Sequence, residues 1–419
     1  MAGTSPPGAD KPVNQHKPVN QQRRLKREIW SKQHTFLAVC QSSLRDLCLE
    51  ECRRAGLDDA CICEAGVSFR GKLSAAYRAC LCLGTASRVR LTIAEFRAGA
   101  REELYRKAGR IPWELWVSGR AVVRAKARAS RFGHEGAVAG TVAEAVSTRL
   151  AERGITGEQR RGSADRERPE ELLVRMDHNT CTIHLDLSGA PLYRRGYRQV
   201  TVAAPLREDL AYAVAMRALA MGPGAPRTVV DTMTGSGTLA IEAACVLSGR
   251  GAGYARKNGF AFESAPWFRS ETFEYERRRA AGEAAGIPSI LAVDSDPEAV
   301  EAATQNVKNA GLQGLIEIRQ GDALSVVGTL PDHATVALAN PPYGVRIPGR
   351  AGARHYLGQI AGSLPNGSLY YLWPDRNTKV TAEETGQQEG TDKQTEKRGP
   401  SQPLLLFRHG GLRVGLFKA

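Results

Sequence analysis

The stretch that most constrains this chain runs from Thr228 to Ala244, TVVDTMTGSGTLAIEAA. Its β-branched start, Thr228 to Val230, favours a strand. Asp231 stands at the strand end, the turn TMTGSGT follows, and Leu239 to Ala244 opens a helix. Gly235 and Gly237 permit positive φ and close approach of backbone to a ligand. The first free N–H groups of the helix face the same point. In a doubly wound α/β sheet, ligands bind at this place, beyond the carboxyl ends of the strands. Tight packing alone would also ask for Gly-x-Gly at such a turn. The lysine of a phosphate-binding loop is absent, and Leu239 and Ala240 follow Thr238 with no third glycine of a dinucleotide fingerprint. Nucleoside triphosphate and nicotinamide cofactors are therefore disfavoured.

Downstream, the α/β pattern repeats. Leu291–Val293 reads as a second strand with Asp294 at its end, and Asp296-Pro297 starts a helix that Gly311 stops. Leu315–Ile318 is a third strand with Asp322 just beyond, and Val336–Ala339 a fourth that ends in Asn340-Pro341-Pro342-Tyr343. Parallel strands bring such ends to one edge of a sheet. Asp231, Asp294, Asp322 and NPPY together are far more specific than any one of them. Leu404–Phe407 and Leu412–Phe417, turning at Gly410-Gly411, suggest a closing antiparallel hairpin.

The N-terminal half has another pattern. Residues 1–33 are polar and basic and read as a disordered arm. From 34 to 100 the order β-α-β-β-α-β suggests a ferredoxin-like unit. In AVVRAKARAS, Arg124, Lys126 and Arg128 alternate with Ala125 and Ala127, so a strand would set three cations on one face. Such a face meets phosphates whatever the base sequence, or guards an edge strand against aggregation. LYRRGYRQ interleaves Arg194, Arg195 and Arg198 with Tyr193 and Tyr197, as surfaces for single-stranded nucleic acid do. A clamp between domains competes equally for that segment. A second polar stretch, 378–402, reads as a disordered insert.

With 419 residues, two or three domains are expected, and a formal charge of +14 points to a polyanionic partner, most simply nucleic acid. No run of eighteen apolar residues and no apolar leader occurs, so a cytoplasmic protein without membrane contact is expected. Nine scattered cysteines include Cys61-x-Cys63 and Cys80-x-Cys82. One intervening residue is too few for the usual zinc spacing, so buried free thiols and no metal are expected.

The strand-end acids and NPPY resemble the class I S-adenosylmethionine-dependent methyltransferases. SSLRDLCLEECRRAGL, GVSFRG, TASRVRL, LDLSGAPLYRRGYR and APLREDLAYAV further resemble the THUMP-containing large-subunit ribosomal RNA guanine-N2 methyltransferases, from Phe36 to the C-terminus outside the loops. The resemblance implies an α/β fold with a C-terminal Rossmann-like domain over 191–419. Its doubly wound sheet would be mostly parallel with an antiparallel last strand. An α+β module would precede it, ferredoxin-like over 34–100 and THUMP, RNA-binding, over 101–190. It implies S-adenosylmethionine held by Asp231, Thr234, Gly235 and Gly237, with Asp294 at the ribose hydroxyls and Asp322 near the adenine amine. Asn340 would border the cofactor and, with Pro341, Pro342 and Tyr343, carry the chemistry at an amine nitrogen. The implied partner is RNA, ribosomal before transfer RNA, with no obligate protein partner. A transfer RNA enzyme, or a DNA or protein-amide methyltransferase with the same NPPY, is the alternative. Thr232 and Thr234 depart from the family, which usually has proline and cysteine there, and leave Asp231, Gly235 and Gly237 intact.

Overall fold

Strand residues that alternate between two environments build two seven-stranded sheets, one in each half of the chain. The computed structural model describes residues 19–419 except 120, 130, 133, 156–168, 203–204, 223, 225, 284, 331–333, 342–348, 365–366 and 375–401. The polar insert expected at 378–402 therefore lies almost wholly outside the described residues.

The N-terminal half opens with α1 (Val19–Arg24) and a π-helical turn, Leu25–Trp30. There follow β1 (His34–Val39), α2 (Arg45–Arg54), β2 (Asp58–Cys63), β3 (Gly66–Gly71), α3 (Leu73–Cys82) and β4 (Arg88–Arg97), the expected β-α-β-β-α-β order. Then come α4 (Arg101–Gly109), β5 (Ala121–Arg128), α5 (Glu135–Glu152), β6 (Glu170–Asp177) and β7 (Thr180–Asp186). The strands lie in the order β2-β3-β1-β4-β7-β6-β5. β4 pairs with β1 through Val89↔Ala38 and with β7 through Leu91↔Leu185, so the two expected N-terminal parts share one sheet.

Residues 19–30 correct the expectation of a disordered arm over 1–33. Leu25 and Ile29 are fully buried, Arg24 pairs with Glu114 at 2.7 Å, and the Trp30 indole N–H donates to the Trp267 carbonyl at 2.9 Å. Two apolar residues four apart suffice because their partners come from distant segments. The cysteine expectation also needs correcting in part, since Cys61 is exposed on the edge strand β2.

The C-terminal half contains α6 (Glu208–Met221), β8 (Thr228–Asp231), α7 (Thr238–Ser248), α8 (Ser270–Arg279), β9 (Ser289–Asp294), α9 (Pro297–Ala310) and β10 (Ile316–Gln320). It continues with α10 (Ala323–Val327), β11 (Thr335–Ala339), α11 (Gly349–Gly362), β12 (Ser368–Pro374), β13 (Leu405–His409) and β14 (Leu412–Lys418). The order is β10-β9-β8-β11-β12-β14-β13, parallel up to β12, with β14 antiparallel to both neighbours. Both faces are covered, as near-continuous apolar strands require. Val229, Ala292 and Leu338 join the core under α6 and α7, while Val230, Val293 and Ala339 join the core under α10 and α11.

Between α7 and β9 the chain leaves the second sheet to complete the first half's core. Phe260, Phe262, Trp267 and Phe273 belong to that core, with the Tyr77 and Phe262 rings 4.8 Å apart. Arg78 grips Glu276 with two hydrogen bonds of 2.9 and 2.8 Å. Gly253 N–H donates to the Leu81 carbonyl at 2.8 Å, and a Cβ at Gly253 would stand 2.6 Å from the Cys80 carbonyl oxygen, so this seam needs glycine.

Candidate active site

The turn after β8 is held from three sides. Thr232 donates through its N–H and its hydroxyl to the Leu338 carbonyl at 2.9 and 3.0 Å, which ties the turn to β11. Thr234 N–H donates to the Val293 carbonyl of β9 at 2.9 Å. Gly235 (φ 51°) and Gly237 (φ 84°) take the left-handed conformation, and a Cβ on Gly237 would lie 3.3 Å from Ala303 of α9. The two threonines that depart from the family pattern thus have work to do. The Thr234 hydroxyl, besides, donates to Asp231 Oδ2 at 2.8 Å.

Asp231 is 1% exposed. Its Oδ2 also accepts from Ala240 N–H at 3.2 Å, whereas Oδ1 is buried with no hydrogen-bond partner among the described residues. Burial pushes its carboxyl up to about 7, against the pull of the Thr234 hydroxyl. An unpartnered buried oxygen beside a glycine turn fits a ligand that brings its own donor, such as an ammonium group. Asp294 accepts from Gly235 N–H at 2.8 Å on Oδ2 and from Asp296 N–H at 3.1 Å on Oδ1. Asp322 caps α10, accepting from the Ser325 N–H at 2.9 Å and hydroxyl at 3.1 Å, and from the Tyr356 hydroxyl at 2.6 Å. The Tyr356 and Ser325 donors hold its carboxyl below the usual carboxylate range.

Parallel register brings these groups to one edge. Asp231 pairs with Leu338, two residues before Asn340, and Asp294 pairs with Gln320, two residues before Asp322. Asn340 is half-buried and Pro341 buried. Pro342 and Tyr343 lie outside the described residues.

Two further residues touch the site without having drawn attention in the sequence. Asn306 of α9 is fully buried; its amide donates to the carbonyls of Val200 at 2.8 Å and Ser236 at 3.0 Å, and its oxygen accepts from Gln199 N–H at 3.0 Å. It stitches the interdomain linker to the glycine turn. A polar residue on the stripe Ala299, Ala302, Ala303, Asn306, Val307 and Ala310 was a usable signal. Tyr356 had none.

The cations divide. Arg195 is corrected from RNA contact to structural clamp. It is 1% exposed, with bonds to the Leu192 carbonyl at 2.8 Å and the Gly84 carbonyl at 2.5 Å, and Glu242 at 3.5 Å. Arg198 is corrected likewise: it donates to the Leu206 carbonyl at 2.6 Å and the Thr238 hydroxyl at 3.1 Å. The linker-clamp reading of that segment holds, and Arg194 alone of its three arginines is exposed. Arg124, Lys126 and Arg128 do share the exposed face of β5. Arg124 pairs with Glu171 at 3.1 Å and Arg128 with Glu64 at 3.7 Å. Among the described residues no helix is long and apolar enough to cross a membrane.

Residues 195–359 match the RMKL-like methyltransferase domain, and residues 35–90 match the RlmL ferredoxin-like domain. The chain thus carries an RMKL-like methyltransferase domain behind an RlmL ferredoxin-like domain. Among relatives of this methyltransferase is the ribosomal RNA large subunit methyltransferase K/L of Syntrophotalea carbinolica, 37% identical over 326 residues, 74% of this chain and 44% of that protein. The chain thus spans less than half the length of the curated relatives it matches first. A Listeria monocytogenes protein described as a predicted N6-adenine-specific DNA methylase has the same fold, with TM-score 0.72 and 26% identity over 92% of this chain and 96% of that one. SMU.472, crystallised in complex with SAH, superposes with TM-score 0.72 at 24% identity, over 92% and 98% of the two chains.

Proposed function

We propose that this methyltransferase transfers a methyl group from S-adenosylmethionine to the exocyclic N2 amine of a guanosine in large-subunit ribosomal RNA. One observation carries it: Asp231, Asp294, Asp322 and Asn340 stand at the ends of neighbouring parallel strands, around a turn whose glycines are in the left-handed conformation. Bound S-adenosylmethionine supplies a sulfonium-activated methyl group. Asp231 Oδ1 takes its ammonium, Asp294 its ribose hydroxyls and Asp322 its adenine amine, while Thr234, Gly235 and Gly237 shape the cradle.

An aryl amine is a poor nucleophile because its lone pair is delocalised into the ring. The Asn340 side-chain carbonyl and the Pro341 backbone carbonyl accept its two N–H bonds and favour a pyramidal nitrogen with the lone pair directed at the methyl. Attack on the methyl would expel S-adenosylhomocysteine as the leaving group, and the surplus proton would then pass to solvent, so no strong base is needed. Pro342 and Tyr343 are assigned to stiffening the loop and stacking on the flipped base. RNA is the partner, its setting the cytoplasm, with 101–190 as the RNA-gripping part.

Asp231 gives cofactor binding a pH dependence. Its carboxyl titrates near 7 in the free protein, and an ammonium partner favours the ionised form. Protons therefore compete with the cofactor, and affinity should fall as pH drops below 7, approaching about tenfold per unit. The ligand's own amine is half deprotonated at about pH 7.7–8.0, so calorimetry should stay below that, from pH 5.5 to about 7. Asp231→Asn should flatten this acid limb; an unchanged limb would assign it to another group.

On β5, Lys126 makes no ion pair among the described residues, and its neighbours' pairs are exposed and weak. Replacing Arg124, Lys126 and Arg128 with Gln should flatten the salt dependence of RNA binding by about two units of slope. An unchanged slope would make the face a solvated edge.

The experiment for the substrate offers labelled S-adenosylmethionine with deproteinised ribosomal RNA from cells lacking the protein. Label should enter the large-subunit RNA and not the same RNA from cells that have the protein. Label in transfer RNA, DNA or protein instead would replace this substrate with that one.

A further inference from the structure

We propose that Tyr356 is a positioning residue for cofactor recognition: by holding Asp322 from a second helix, it selects a 6-amino purine over a 6-oxo purine. This rests on Asp322 facing the adenine amine. Capping α10 asks little of that side chain, because one oxygen, Oδ2, accepts both the Ser325 N–H and the Ser325 hydroxyl. The other oxygen takes no part in the Ser325 cap, yet it too is held. The Tyr356 hydroxyl, 34 residues away on α11, donates to Oδ1 at 2.6 Å, within the short range of an O–H···O⁻ bond. The Tyr356 ring is half-buried and packs against the core under α10 and α11, so the hydroxyl is itself fixed.

The consequence follows from lone pairs. A carboxylate oxygen has two acceptor sites. With one of Oδ1's taken by Tyr356, the other has a set direction, suited to an N–H of a 6-amino group. A 6-oxo purine places an acceptor there and moves its donor to the neighbouring ring nitrogen. A carboxylate free to turn could follow that donor; one held by donors from two helices cannot.

The test is calorimetric binding of S-adenosylhomocysteine and S-inosylhomocysteine to the wild type, Tyr356→Phe and Asp322→Ala, with thermal melts of each apo protein. The Phe variant keeps the ring packing. The wild type should prefer the adenosyl ligand by about tenfold or more, and Tyr356→Phe should narrow that preference by about fivefold, with an apo melt close to wild type. Asp322→Ala should abolish it. If Asp322→Ala abolishes the preference and Tyr356→Phe keeps it whole, Tyr356 has no positioning role. If both keep it, Asp322 does not read the adenine amine, and the proposal falls with that assignment. If Tyr356→Phe weakens both ligands equally, its role is structural and the proposal is overturned.

Discussion

Asn340→Ala is expected to slow single-turnover methyl transfer by about a hundredfold or more, with cofactor affinity nearly unchanged. Asn340 is the first residue after β11, two beyond the pairing of Leu338 with Asp231. The neighbouring peptide is stiffened by the buried Pro341, so the carbonyl that remains cannot swing to replace the lost one. One N–H of the target amine would stay unpaired in a desolvated pocket, and its lone pair would lose its direction. Asn340→Asp keeps the shape and an acceptor, and should retain partial activity. Near-normal turnover in the Ala variant would refute the role. Loss of fold and cofactor affinity together would make Asn340 a structural turn residue.

Arg195→Met should cost about 3–5 kcal/mol of folding stability in denaturant titration, the range for breaking a buried ion pair from one side. Arg195 and Glu242 are each 1% exposed, and the Tyr197 hydroxyl donates to the same Glu242 oxygen at 2.8 Å. Removing the guanidinium strands a buried carboxylate and takes donors from the Gly84 and Leu192 carbonyls, one in each half of the clamp. Adding Glu242→Gln should recover part of the loss, since it removes the unpaired charge. A cost below about 1 kcal/mol would mean that water reaches this seam and solvates Glu242.

What could be read from the sequence was local or periodic. The strand, turn and helix at Thr228–Ala244 needed only neighbours. The edge that gathers Asp231, Asp294, Asp322 and Asn340 followed because parallel strands map chain order onto one side of a sheet. The face of Arg124, Lys126 and Arg128 followed from a period of two. The misreadings share a cause in partners distant along the chain. Arg195 looks as basic as Arg124, and only Glu242, 47 residues later, separates a buried clamp from a solvent face. The arm around Leu25 and Ile29 is ordered through Arg24 and Trp30, whose partners Glu114 and Trp267 lie far along the chain. Tyr356 reaches Asp322 only because two helices cover the same face of the sheet.

The central claim is guanine-N2 chemistry at the Asn340 edge, and the direct measurement is the identity of the product. RNA methylated by the purified protein should be digested to nucleosides and resolved by mass spectrometry with isotope-labelled methyl. N2-methylguanosine should carry the label, and Asn340→Ala should lose it. Label in N6-methyladenosine, in a ribose methyl or in a carbon-methylated base would contradict the account.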